Sequence, residues 1–376
     1  MSSWLIKLLI FLLPLFLWSS PLKFELAKVS LFFTAGFFLT LWLIIKLLKK
    51  DFEVCLQNID KIWFLWVGIL FLSTLINQKF PYGFLAGGYR HQSVLFFFLL
   101  GLFALATKFL KTKEKKSVLK WASLAIIIEI LIIYAQWLAI KFNLPVLSYN
   151  QRPIGTIGEP NAVASFLALG LPILVITFQQ PLIPVVALII ALLLTGSKAG
   201  VLAIMAELVV IGFLWKKKLP SRKFLLIFSL TLIIAVGILG VYLEKNESLF
   251  ENRWLIWGLG IKAFQEKLIL GYGAEGIINV YDRQFRQINR TLEGVVVDRS
   301  HNLLLDISLF SGIIGLVVFN LWFWRVNQKL LKKKSWFLAS SVGFLVFSFF
   351  QPIGVVHWVY LIFLLSHLPG GFKGKI

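Results

Sequence analysis

The chain has 376 residues, 59% of them hydrophobic and only 15% charged, and its mean hydropathy is +0.86. A soluble globular domain carries roughly 25% charged residues, so this composition excludes an ordinary soluble enzyme and points to an integral membrane protein. The net charge of +21 does not mark a nucleic-acid binder, because the basic residues sit in short clusters between apolar runs. These are Lys46, Lys49, Lys50; Lys111, Lys113, Lys115, Lys116; Lys216, Lys217, Lys218, Arg222, Lys223; Lys329, Lys332, Lys333, Lys334; and Lys373, Lys375, the distribution expected of cytoplasmic loops. Cys55 is the single cysteine, so no intrachain disulfide or cysteine-rich metal site is available.

A helix needs about 20 apolar residues to cross the hydrocarbon core. Such runs recur along nearly the whole length, which predicts an all-α polytopic transmembrane helix bundle, one integral membrane domain over 1–376. The expected spans, about 12 by this length criterion, are 4–20, 29–48, 62–76, 93–109, 118–140, 160–178, 182–195, 199–215, 224–243, 301–323, 336–350 and 353–368. The run Trp4 to Trp18 lacks a charged lead-in and a small-residue cleavage site, so it reads as the first span rather than a signal peptide. With both termini cytoplasmic, every lysine cluster falls inside. The outward segments are then 21–28, 77–92, 141–159, 196–198, 244–300 and the Gln351-Pro352 turn. The turns at Gln179-Gln180-Pro181 and Gly196-Ser197-Lys198 read either as full crossings or as re-entrant.

The long outer loop 244–300 is balanced, with eight Lys/Arg against eight Asp/Glu, unlike the basic inner loops. Trp254, Trp257, Ile261 and Phe264 recur at helical spacing and predict an amphipathic helix lying at the interface, with its tryptophans at headgroup level. Gly271-Tyr272-Gly273 breaks it, and Ile277, Tyr281 and Phe285 at four-residue spacing predict a second helix.

Polar residues concentrate on the outward side. They lie in Gly87-Gly88-Tyr89-Arg90-His91-Gln92, in Arg152 to Asn161, in Thr195-Gly196-Ser197-Lys198-Ala199-Gly200, at Arg253, and in Asp298-Arg299-Ser300-His301-Asn302-Leu303-Leu304-Leu305-Asp306, which runs into the apolar segment from Ile307. Ionisable groups at a bilayer surface or inside it are costly and mark functional sites. Arginine suits bidentate phosphate recognition and lysine supplies a point charge. Arg90, Arg152, Lys198, Arg253 and Arg299 gathered on one face therefore suggest a lipid-linked phosphate or diphosphate. Other readings stay open at this point: lipid-headgroup contacts for Arg90 and Arg152, snorkelling for Lys198, and a backbone-satisfied helix start for His301. His301 has an unperturbed pKa near neutrality and is the candidate general base beside a sugar hydroxyl. Asp306 lies about 140° around a helix from it, which leaves Asp298 as the candidate orienting group. No zinc-ligand spacing or compact acidic cluster occurs, so no metal and no cofactor is expected. Glu129 and Glu207, within apolar runs, are either structural partners or relay groups. They carry the alternative reading, a transporter or flippase of a small anion or lipid-linked glycan, although no internal repeat of the kind transporters show is evident.

Taken in order, Tyr89-Arg90-His91-Gln92, Gly155-Thr156-Ile157-Gly158-Glu159-Pro160-Asn161, Thr195 to Gly200, Arg253 to Trp257, Leu270 to Gly273, and Asp298 to Asn302 followed by Gly312 and Gly315 resemble the O-antigen ligase and O-antigen polymerase superfamily of polytopic membrane glycosyltransferases. The resemblance implies a metal-independent, inverting transfer on the outer side of the cytoplasmic (inner) membrane. The glycan would move from a polyprenyl-diphosphate carrier, undecaprenyl diphosphate in such families, to a glycan, lipid or protein acceptor. It implies His301 as the base, with Asp298 and Arg299 beside it. Arg90, Lys198, Arg253 and Arg152 would bind the diphosphate, and Glu159, Asn161, Asn302 and Asp306 would line the pocket. The chain departs from the pattern twice: Glu159 stands where the family often has Asn, and Lys198 where it often has Arg. Ligases to lipid A core, repeat-unit polymerases and protein O-glycosylation ligases share these signatures.

Overall fold

Leucine-, isoleucine- and phenylalanine-rich runs satisfy their backbone polar groups internally by forming helices, the structure a single apolar segment must adopt in lipid. In a computed structural model the chain is described over residues 2–17, 24–49, 57–85, 87–88, 90–215, 251–287 and 297–366. Among these the helices are α1 (Ser2–Leu15), α2 (Phe24–Leu48), α3 (Asn58–Asn77), α4 (Val94–Lys108), α5 (Thr112–Lys141), α6 (Pro160–Thr177), α7 (Leu182–Leu194), α8 (Lys198–Trp215), α9 (Glu251–Glu266), α10 (Ile277–Gln287), α11 (Leu303–Lys332), α12 (Phe337–Ser348) and α13 (Val355–Ser366). The only strands among the described residues, β1 (Ser148–Tyr149) and β2 (Arg152–Pro153), form a short antiparallel pair between α5 and α6.

The protein is all-α. Five described helices, α2, α3, α5, α6 and α11, are long and apolar enough to cross a membrane; α4, α7, α12, α13 and the run Ser3–Leu15 are apolar but shorter. Each expected span other than 224–243, which lies outside the described residues, coincides with a helix, but helix length alone marks five as crossings rather than twelve. On the long helices large apolar side chains point outward, among them Phe37, Ile44, Leu72, Leu75, Leu131 and Val317, as lipid-facing positions do.

The core forms where α1 packs on α5, α3 on α11, and α8 and α6 on α12. Trp63, Trp66, Phe97, Phe319, Trp322 and Trp358 fill it with edge and tilted ring contacts. The carboxylate of Glu129 on α5 accepts from Thr156 N at 2.7 Å and Thr156 Oγ1 at 2.6 Å, which fastens the loop before α6 to the bundle. Of the two alternatives for Glu129, the structure shows the structural partner.

One expected span is not continuous. Helix α11 breaks at Gly312, where φ is +64° and a Cβ would sit 2.0 Å from the Ile269 carbonyl oxygen, so only glycine fits. The freed backbone groups find new partners: Tyr272 N donates to Leu309 O at 2.7 Å, Gly273 N to Phe310 O at 3.0 Å, and Ile313 N to Leu268 O at 2.8 Å. Ser73 Oγ on α3 donates to Phe310 O at 2.9 Å. Irregular backbone at such depth is tolerated when it is buried in protein and satisfied in this way. The turn 268–273 is thereby locked against the start of α11.

Both predicted loop helices are present as α9 and α10. Ile277, Val280, Tyr281, Gln284 and Phe285 form the buried face of α10. The buried face of α9 differs from the expected stripe: Ile256, Leu259 and Ala263 pack inward, whereas Trp254 and Ile261 are exposed. Trp257 is tied down by its indole, which donates to Ser300 O at 2.9 Å.

Candidate functional site

The polar segments that are far apart in sequence converge around the loop that precedes α11. That loop is held rigidly. Asn302 caps α11, its Oδ1 accepting from Leu304 N at 3.1 Å and Leu305 N at 3.2 Å. Asp306 accepts from Ser300 N at 2.7 Å, and Tyr281 OH donates to Ser300 Oγ at 2.9 Å. Asn302 and Asp306, both expected to line a pocket, are thus engaged in shaping the loop.

Two ion pairs anchor it. Arg90 Nε meets Asp298 Oδ2 at 2.5 Å, and Arg299 Nη2 meets Glu275 Oε1 at 2.7 Å. Arg299 is 1% exposed and its guanidinium lies over the Phe310 ring at 5.1 Å. Glu275 is fully buried, with φ +59°, and its Oε1 also accepts Gln92 N at 2.6 Å. Gly88 must be glycine here, since a Cβ would fall 1.7 Å from Glu275 Oε2. Burial would lower the Arg90 guanidinium, but Asp298, Glu25 and Glu159 together hold it above its ordinary value. Burial likewise would raise Asp298, and Arg90 and Arg299 overcome it to keep the carboxylate low. Arg90 spends only its Nε on Asp298; among the described residues no acceptor meets its two η-nitrogens.

His301 stands in front of this network with φ +53°. Its Nδ1 is buried, and among the described residues it has no hydrogen-bond partner. Burial, then Arg253 and Arg90, push the imidazole down to about 4, with Asp298 and the Gln351 side chain opposing. The ring is therefore neutral at physiological pH. Two details differ from the sequence-based expectation. The cations that disfavour imidazolium are Arg253 and Arg90, while Arg299, expected beside the ring, is absorbed by Glu275. The amide side chain that acts on the ring is Gln351, while Asp298 is absorbed by Arg90.

Arg253, near the head of α9, is half-buried and lowered by its burial, with Glu159 opposing. Glu159 is raised by burial against Arg90 and a contact from Asn161 Nδ2 at 3.3 Å. Arg152 joins the same row: its Nη2 donates to Asn161 Oδ1 at 3.2 Å and its Nε to Thr195 O at 2.6 Å. A chain of contacts and fields thus runs from Arg152 through Asn161 and Glu159 to Arg253, Arg90 and His301. Lys198 is the exception. It begins α8 with an exposed side chain, and among the described residues it has no ion-pair partner.

Sequence reasoning missed Glu275, Gln351 and Glu25. Glu25, in the first turn of α2, accepts from Val355 N at 3.2 Å and lies within electrostatic reach of Arg90. Gln92 Nε2 donates to Ile353 O, so the turn at 351–354 is bound on two sides while it presents Gln351 to His301. The available signal was the lone acid after the glycine pair at 271 and 273 and the isolated Gln351 between apolar runs. Among the described residues no cluster of His, Cys, Asp and Glu is arranged to hold a metal ion.

These features define a multi-pass helical membrane protein with a cationic polar site built at the ends of its helices. Residues 183–320 match the family model of the O-antigen ligases, a match over part of the chain that supports its resemblance to the O-antigen ligase superfamily. The matched stretch contains Lys198, Arg253, Glu275, Asp298, Arg299 and His301 and leaves out Arg90, Arg152, Glu159 and Gln351. No curated protein matches the chain. That match supports glycan transfer in a membrane as the family-level function.

Proposed function

We propose that the chain is an inverting, metal-independent membrane glycosyltransferase. It would move a glycan from a polyprenyl-diphosphate carrier to an acceptor hydroxyl on the outer side of the cytoplasmic membrane, as an O-antigen ligase or a surface-polysaccharide polymerase. The observation that carries this reading is His301: a neutral imidazole whose buried Nδ1 has no partner among the described residues, within electrostatic reach of Arg253 and Arg90. In this reading the acceptor oxygen attacks the anomeric carbon from the face opposite the diphosphate, and its proton passes to the imidazole. The bond from the anomeric carbon to the diphosphate oxygen breaks, and the leaving group keeps the electron pair. Arg253 and the η-nitrogens of Arg90, which meet no acceptor among the described residues, take up that charge, in the manner of fixed donors aimed at a developing anion. Arg152 and Lys198 extend the cationic row, and Glu159 and Asn161 contact sugar hydroxyls. The whole chain, 1–376, acts as one membrane domain of about twelve spans, with 244–300 as its extracytoplasmic loop.

A second reading, transport or flipping of the glycan-lipid, rests on Glu207. On α8 both its carboxylate oxygens are buried and, among the described residues, have no hydrogen-bond partner. A deletion strain separates the two. Transferase loss leaves complete glycan-lipid on the outer leaflet, and restoration needs His301. Accumulation on the cytoplasmic leaflet supports flipping instead. Cysteine labelling on a Cys55→Ser background tests the orientation: Arg286→Cys labels from outside and Lys332→Cys only after permeabilisation. The reverse pattern contradicts the outward-facing site.

A further inference from the structure

At the far end of α11 from His301, a groove of about 410 Å³ opens between α3 and α11. Ligand sites generally fall within about 300–1,000 Å³. Its walls are Asn58, Ile59 and Ile62 from α3 and Arg325, Gln328, Lys329 and Lys332 from α11. Arg325 and Lys332 are exposed, while Ile59 and Ile62 are half-buried on the apolar side. Charge around this groove is poorly balanced. Lys108 and Lys333 lie within electrostatic reach of both Lys115 and Lys329. Asp60 is the acid that the described structure sets among them, and it is already taken by Lys108 and by Gln57 N at 3.0 Å. Lys329 Nζ reaches Gln57 Oε1 at 2.7 Å, a neutral partner, and Asp60, already paired with Lys108, is the one acid among the described charges that act on it.

We propose that this groove is a binding site for an anionic phospholipid, seated with its phosphate against Arg325, Lys329 and Lys332 and its acyl chains along the apolar faces of α3 and α11. The argument is complementarity of charge and of shape. A basic rim lies over isoleucines at the end of two helices of membrane-crossing length, where a headgroup meets its chains. Basic pockets between membrane helices commonly hold such headgroups. The site is separate from the one around His301, and it stands or falls independently of the proposed transfer.

The test uses the purified full-length protein. Delipidated protein is titrated with short-chain phosphatidylglycerol, with phosphatidylcholine of the same chain length, and with inorganic phosphate, and bound lipid is read by native mass spectrometry. Wild type is compared with the triple variant Arg325→Gln, Lys329→Gln, Lys332→Gln. The control variant, Lys111→Gln, Lys113→Gln, Lys120→Gln, has the same charge change on α5 and its approach. Each basic residue near a membrane surface contributes roughly a fivefold factor, so the triple variant loses affinity for phosphatidylglycerol on the order of a hundredfold. The control keeps wild-type affinity, and phosphatidylcholine binds far more weakly than phosphatidylglycerol. Equal losses in both variants, equal retention of the two lipids, or inorganic phosphate competing as well as the lipid would each overturn the assignment. Circular dichroism and a size-exclusion profile like wild type's establish that the triple variant is folded. If it is not, the single variant Arg325→Gln carries the comparison, with an expected loss of roughly fivefold.

Discussion

The Nε of Arg90 donates to Oδ2 of Asp298 at 2.5 Å across 208 residues of sequence, tying the loop before α4 to the loop before α11. Both side chains are close to buried, so removing one partner strands the charge of the other. Asp298→Ala is expected to lower stability by about 3–5 kcal/mol, and Arg299→Ala, which strands Glu275, by a similar amount. The double variant Arg90→Leu with Asp298→Leu costs less than the sum of its two single changes, because no charge is left alone. Thermal unfolding in detergent checks this cycle; strictly additive losses would show that the pair is not coupled.

The helices and the roster of polar segments were legible in the sequence because apolar periodicity and charge placement are local properties. Asp298 to Asp306 could be singled out for its density of ionisable groups. Its internal assignments could not, because they depend on which distant carboxylate arrives. Glu275 claims Arg299 and Asp298 claims Arg90, and neither pairing leaves a trace in spacing. The break in α11 was hidden for a related reason. Gly312 looks like an ordinary small residue in an apolar run, and only the approach of 268–273 makes its positive φ necessary. The stripe on α9 misled because tryptophans at helical spacing mark an apolar face without saying whether protein or lipid covers it.

Donor binding separates the cations by their surroundings. Arg253→Ala and Arg90→Ala are each expected to weaken binding of a polyprenyl-diphosphate donor by roughly ten- to a hundredfold, the cost of one charge-assisted contact. Arg90→Ala also carries the stability loss described above, so its affinity is read on the folded fraction. Lys198→Ala has the smallest effect of the three, because its exposed side chain is the least constrained. Equilibrium binding of a fluorescent donor analogue supplies the measurement. Unchanged affinity in all three would remove the diphosphate assignment.

The imidazole of His301 sets two pH dependences with opposite ends of interest. Activity through this group stays level from neutral pH down to about 5 and falls as the ring protonates near 4. Stability moves earlier. In the unfolded chain the ring takes up a proton near its ordinary value of about 6.5, whereas the folded ring resists until about 4. Between these values the unfolded state binds more protons, so stability rises with pH and declines as pH drops through that window. Melting temperature against pH should therefore be steeper for wild type than for His301→Gln between those limits. Parallel curves would show that the ring is not held neutral by its surroundings.

The most direct test is reconstitution of purified protein with a defined glycan on polyprenyl diphosphate and a set of glycan, lipid and protein acceptors, in the presence of a chelator. The wild-type chain is expected to form product with inverted anomeric configuration. His301→Ala should still bind donor but transfer roughly 10²–10⁴-fold more slowly. A His301→Ala protein that turns over at the wild-type rate, or a wild-type protein that needs an added metal, would contradict the account.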